Sequence, residues 1–202
     1  MLTVITPAAT SALTTLDAVK AELKVVGNGD DGWLSAVIGR ASAAVRSFCR
    51  RPFGAETVRE VLHLSAPAEA LALERWPLLS IASVTEGGKA LTGSDFEAES
   101  ETGLVYRLAS GTRRNWLAGR IEVEYRAGYV LPGENGRTLP EDIEHAVILL
   151  VMGQWHARGR DPAVKSESVE GVGRWDFWIS DTGKLPSDVV ALLSPHRQSL
   201  MG

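Results

Sequence analysis

One cysteine, Cys49, stands in 202 residues, so no intramolecular disulfide can form and no cysteine-based zinc site can be built. That scarcity fits a protein made in a reducing compartment, and cytosolic synthesis is the expectation. An excess of positive charge is missing too. Lys and Arg number 21 against 25 Asp and Glu, a formal net charge of −4, which argues against a protein whose main work is gripping a phosphate backbone. The longest apolar run, around residues 146–153, is far shorter than the roughly 18 residues of a membrane span, and residues 1–12 carry no basic region ahead of an apolar core. No membrane partner is expected. What is present is globular in character: 45% of residues are hydrophobic, and a chain of this size buries roughly 70% of its unfolded surface, enough for a core without a structural metal.

Along the chain the hydrophobic period changes twice. Thr14 with Asp17 three residues on reads as a helix start, and Leu16, Val19 and Leu23 then share a face. A second helix begins near Asp30 and Asp31, carries Leu34, Val37, Ile38, Ala41, Val45 and Phe48 at 3–4 spacing, and is stopped by Pro52. Between residues 55 and 130 the pattern becomes that of strands: Ile121, Val123 and Tyr125 alternate with Glu122, Glu124 and Arg126, residues 79–85 alternate more weakly, and Gly87-Gly88 marks a hairpin turn. Pro140 with Glu141, Asp142 and Glu144 announces a third helix, whose buried stripe is expected at Ile143, Val147, Leu150 and Val151 with Glu144 facing solvent. A short last helix starts at Pro186. The order of helices, sheet and helices makes the fold class α+β, an antiparallel sheet inserted between helical segments. Residues 161–184, between the last two helices, show no period and hold Trp175, Phe177 and Trp178 within four positions. A segment so long and so apolar needs something to cover it.

The residues that carry chemistry are sparse. Gly27, Gly29 and Gly32 spell G-x-G-x-x-G, but no strand precedes them and Asp30 and Asp31 occupy the place where a pyrophosphate needs bare amides. His145 and His156 lie on one helix about 16 Å apart along its axis, too far to share a metal. His63 and His196 stand alone. No Ser sits in a G-x-S-x-G elbow, and Cys49 between Phe48 and Arg50 reads as a buried structural thiol. The expectation is therefore no catalytic residues, no cofactor and no metal. Arg40, Arg46, Arg50 and Arg51 form the one basic cluster without an intervening acid, read as a solvated face or a contact with a neighbouring subunit.

Several stretches resemble the head–tail connector (adaptor) family of tailed bacteriophages and phage-like gene transfer agents. They are Leu16-Asp17-Ala18-Val19-Lys20, residues 36–52, Trp76-Pro77-Leu78-Leu79-Ser80-Ile81, Val123-Glu124-Tyr125-Arg126-Ala127-Gly128-Tyr129, residues 139–158, 166–173 and 185–193. The most specific are W-P-L-x-S-I, Y-x-A-G-Y and L-P-x-D-I in helix, sheet, helix order. The resemblance implies a small helical bundle with an inserted antiparallel β-sheet subdomain: bundle helices in 1–54, the insertion in 55–130, and the remaining helices with the long aromatic loop in 131–202. It also implies a homo-oligomeric ring, usually of twelve copies, between a portal protein and a tail-side connector or terminator protein, with DNA passing through and no sequence-specific binding. Trp175, Phe177, Trp178, Arg50, Arg51, His196 and Arg197 are the expected contact residues. A DNA-binding regulator and, behind it, a hydrolase on the inserted sheet are the alternatives; salt-dependent duplex binding or a convergent cluster of titratable groups would mark them.

Overall fold

The computed structural model describes residues 1–158, 166–169, 173–176 and 185–198. The chain divides into two compact units: Met1–Ser11 with Pro52–Thr138, and Ala12–Arg51 with Leu139–Gly202.

The first unit is all β. Strands β1 (Leu2–Thr6), β2 (Glu56–Leu64), β4 (Leu78–Glu86), β5 (Lys89–Ala90) and β9 (Gly119–Ala127) form a five-stranded sheet in the order β1-β2-β9-β4-β5. Strands β3 (Ala70–Ala72), β6 (Phe96–Glu99), β7 (Leu104–Ala109) and β8 (Thr112–Arg114) form a second sheet around β7, and every strand pair is antiparallel. The alternation expected of residues 121–126 is realised in β9, where Ile121, Val123 and Tyr125 are fully buried. Register puts Tyr125 opposite Val58 and Val123 opposite Glu60, so β2 presents Val58 and Glu60 to the same interior. Leu71, Val105 and Trp116 of the second sheet and its flanks join them in one core. Gly87 and Gly88 turn β4 into β5 with φ of 57° and 83°, the left-handed geometry that tight hairpins require.

Two of the quoted motifs meet here. Leu78 pairs with Ala127 and the Gly128 amide donates to Pro77 O, which joins W-P-L-x-S-I to Y-x-A-G-Y across β4 and β9. Gly128, at φ 114°, lies so close to Gly54 that a Cβ would come within 2.5 Å of its carbonyl oxygen. Any side chain there collides with backbone. The expected division places residues 1–11 with the bundle helices. Instead β1 pairs with β2 and belongs with the sheet, a placement that its short uncharged run LTVIT did not announce.

The second unit is helical. Helices α1 (Leu16–Leu23), α2 (Asp31–Cys49), α3 (Glu141–His156) and α4 (Ser187–Leu193) pack with α2 against α3 and α3 against α4. The expected α2 face is buried at Leu34, Val37, Ile38, Ala41 and Val45, with Cys49 rather than Phe48 completing it. The cap of α1 is Thr15, which accepts from the Ala18 amide. The neighbouring Thr14 is buried and its hydroxyl donates to Glu144 Oε1 at 2.9 Å. That bond corrects the expected face of α3: Glu144 is buried, Leu150 is half-buried, and Ile143, Ala146, Val147 and Val151 are inside. Two apolar faces converge on α3, so its buried arc is wider than one stripe. The 161–184 stretch is not wholly aperiodic, since β10 (Ser166–Val169) and β11 (Gly173–Asp176) pair as an antiparallel hairpin that joins neither sheet of the first unit.

Candidate interface sites

Four of the seven expected contact residues lie near one end of the helical unit. Helix α2 ends with Arg50 in a left-handed conformation, φ 58°, its amide donating to Arg46 O and Ser47 O. After α4 the chain returns to this point, where the Gln198 amide donates to Cys49 O at 3.0 Å and the Arg197 guanidinium lies 5.3 Å from the Phe48 ring centre. His196 Nε2 contacts Asp142 Oδ2 at 2.6 Å, fastening the same segment to the first turn of α3. This explains part of the L-P-x-D-I motif: Leu139 and Ile143 are buried while Asp142 holds His196. Arg50 and Arg197 are exposed, but Arg51 is only 6% exposed. A residue with so little surface cannot be a direct contact, so the basic cluster is not one solvated face. Trp175 lies in β11, whereas Phe177 and Trp178 lie outside the described residues.

Sequence reasoning missed a second group in this unit. Trp33 and Trp155 meet edge to face at 5.7 Å, and the Arg158 guanidinium lies 5.0 Å from each ring while Nη1 reaches Asp30 Oδ1 at 2.6 Å. The arrangement combines cation–π contact with an ion pair and ties the end of α3 to the start of α2. The signal for it was thin: two tryptophans, each next to a helix terminus.

The β unit holds its polar groups differently. Glu60 is buried, and its Oε2 accepts from Tyr125 Oη at 2.6 Å and from the Glu74 amide at 3.1 Å. Burial, then the bond to Glu60 and its charge, push the Tyr125 phenol far above its ordinary range, so it serves only as a neutral donor and acceptor. Arg75 continues the network, its amide donating to Tyr125 Oη and its Nε to Glu56 Oε1. A second network surrounds Glu86, which accepts from Arg107 Nε, Arg114 Nη2 and the Leu117 amide. Burial alone would raise the Glu86 carboxyl, but the Leu117 amide bond, the Arg107 bond and charge, and the Arg114 charge outweigh it and hold it below the usual carboxylate range. Beside it is a cleft of about 270 Å³ lined by Glu86, Lys89, Arg107, Arg114, Leu117 and Arg120.

None of these groups is poised as a nucleophile. Burial, opposed by the charges of Arg51 and Arg197, pushes the Cys49 thiol up to about 11, and its Sγ donates to Leu193 O at 3.9 Å. A thiol so placed is inert at neutral pH. Among the described residues no three His, Cys, Asp or Glu side chains come together as metal ligands, and no helix is long and apolar enough to cross a membrane.

A family model described as head completion protein matches residues 12–199. The chain belongs to the head completion protein family. Its role is structural, in the connection of head to tail. No curated protein matches the chain. Among solved structures, a chain from the neck of an empty gene transfer agent particle computed with C6 symmetry shares the fold, with 18% identity, a TM-score of 0.58, and coverage of 100% of this chain and 98% of that one. A chain from the virion of a native gene transfer agent particle matches equally well, and one from the native neck computed with C12 symmetry gives a TM-score of 0.56 at the same identity and coverage.

Proposed function

We propose that this head completion protein assembles as a ring of identical copies in the neck of a phage-like particle, between the portal and the first tail-side component, and catalyses no reaction. The fold likeness over the whole chain to neck subunits of a particle computed with C6 and C12 symmetry carries the reading. A ring subunit needs two different surfaces that meet head to tail, and needs no active site. The charge arrangement supports a passage for DNA rather than a grip on it. Arg59, Arg75, Arg107, Arg113, Arg114, Arg120 and Arg158 each pair with a carboxylate, so their charge is already neutralised and few counterions would be released on a phosphate contact. Arg50, Arg197 and His196 at the bundle end, and the aromatic segment of Trp175, Phe177 and Trp178, are the surfaces proposed for portal and tail.

Particles made without this chain test the reading. DNA-filled heads that fail to join tails, restored by adding the purified protein, are the expected result. Normal joined particles in its absence overturn it. Tight binding of the free protein to duplex DNA at physiological salt would move the assignment to the regulatory alternative.

A further inference from the structure

Among the described residues the five-stranded sheet ends at β1, whose outer edge pairs with nothing. Met1 and Val61 exchange both backbone hydrogen bonds, at 2.7 and 2.9 Å. Because bonded and non-bonded pairs alternate in an antiparallel ladder, Leu2 opposite Glu60 and Val4 opposite Val58 turn their N–H and C=O groups away from β2. This open edge carries no charged residue: its sequence is LTVIT. It is also greasy. Of the six large apolar side chains exposed among the described residues, Val4 and Ile5 lie on it and Met1 directly precedes it, at 43%, 44% and 90% exposure. The opposite side of the sheet is protected as edges usually are, by two register shifts in β4 and by Lys89 on a two-residue β5. β1 has one register shift of its own, between Val4 and Thr6, but from Leu2 to Val4 its edge is regular and uncharged, and such an edge is a template for another strand.

The same chain contains a strand pair in need of a third member. The β10–β11 hairpin is a sheet of only two strands, joined to neither sheet of the β unit, and an isolated two-stranded hairpin is marginally stable in water. Its four-residue strands are one residue shorter than the five of β1, close enough to pair along most of it. β1 and the hairpin lie in separate sheets within one chain, which leaves each of them open to a strand from another chain.

We propose that the outer edge of β1 is the seam between copies, filled by the β10–β11 hairpin of a second copy. The inference rests on the ring reading. Edge and hairpin are different surfaces of identical chains, so the contact runs head to tail, and closure of the ring leaves no edge exposed.

Sedimentation of the full-length protein over a wide concentration range, compared with three variants, decides it. Val4→Pro removes an amide that points away from β2 and leaves the β1–β2 bonds intact; Ile5→Lys adds charge to the edge; in the third, residues 166–176 are replaced by an equal length of Gly and Ser. Each is expected to weaken self-association on the order of a hundredfold, because main-chain bonds supply much of the affinity of an added strand, while thermal melting of the monomer stays unchanged. Val4→Thr keeps the amide and should assemble as wild type does. Mixing Val4→Pro with the Gly/Ser variant should give a heterodimer and nothing larger, since each retains one working surface. If wild type assembles and both Ile5→Lys and the Gly/Ser variant assemble equally well, the seam lies elsewhere and the ring reading survives. A wild-type protein that stays monomeric at every concentration defeats the ring reading, and the seam with it.

Discussion

The two units of this chain hold their buried polar groups differently, although among the described residues each buries two charged side chains. In the β unit Glu60 and Arg107 are buried, at 6% and 8% exposure, and each is held by several partners. In the helical unit Glu144 and Arg51 are buried as well, short links join Thr14 to Glu144 and the Leu13 amide to Ser42, and the ion pairs Lys20–Asp31 and Arg158–Asp30 lie nearer the surface. The reason is backbone bookkeeping. A helix satisfies its own amides except at its ends, where Thr15 accepts from Ala18 of α1, and Ser42 in α2 accepts from the Leu13 amide in the segment that leads into α1. Loops that connect strands leave amides turned inward with no ladder to receive them. Glu60 accepts from the Glu74 amide and Glu86 from the Leu117 amide, so each carboxylate anchors a loop.

The largest expected effect lies where the two sheets share their core. Trp116 is fully buried and its Nε1 donates to Val105 O at 2.9 Å. Trp116→Ala should cost about 3–5 kcal/mol through lost burial and a cavity, with the Val105 carbonyl left without that donor. Denaturant unfolding followed by circular dichroism measures it. A loss under about 1 kcal/mol would show that the second sheet does not share a core with the first.

The comparison itself is sharpest at two glutamates. Glu60→Leu removes the acceptor of both Tyr125 and the Glu74 amide, and should cost about 3 kcal/mol because two buried donors lose their partner. Glu144→Leu deprives Thr14 of one bond on a helix face that is otherwise apolar, and should cost about 1 kcal/mol. Equal losses in the two unfolding midpoints would break the contrast between the units.

How far the sequence could be read follows the same divide. Period-2 alternation in β9 and the Gly87-Gly88 turn were plain, because one face of a strand is buried and a tight turn demands positive φ. The α2 stripe was plain for the matching reason at period 3.6. Glu144 was misread, since a carboxylate at a helix start has a good local explanation in the helix dipole, and nothing nearby in sequence points to Thr14, 130 residues away. Strand β1 was missed because five uncharged residues have no turn signal ahead of them. The Trp33, Trp155 and Arg158 group joins two helices over a distance that no local pattern spans. Of the proposed contact residues, Arg50 and Arg197 have the exposure that role needs, and Arg51 does not.

A smaller effect is expected on lowering the pH. Glu86 has its folded carboxyl below the usual range, so its contribution is complete above the unfolded carboxylate value and disappears as pH falls through the folded one. Glu86→Gln should flatten the acid limb of the stability curve while costing some stability at pH 7. An acid limb identical in wild type and variant would mean that the Arg107 network does not respond to charge.

The smallest effect has the opposite sign, and it belongs to the bundle end that carries Arg50 and Arg197. Arg50 closes α2 at φ 58°, ψ 30°, a conformation that glycine adopts freely and a side chain with a Cβ does not. Its amide and that of Arg51 still bond back to α2 carbonyls, so the cap geometry is kept whatever residue stands there. Glycine at this position should therefore relieve about 1 kcal/mol of backbone strain, less any packing of the Arg50 stem. Arg50→Gly is expected to raise the melting temperature of the isolated protein by a few degrees. The natural arginine would then be a residue held in a strained place, and strain maintained at an exposed position points to use elsewhere. If the same variant joins heads to tails less well than wild type while melting higher, Arg50 makes a contact in the assembled neck. Higher melting with undiminished joining would remove Arg50 from the proposed interface and leave Arg197 and the aromatic segment to carry it.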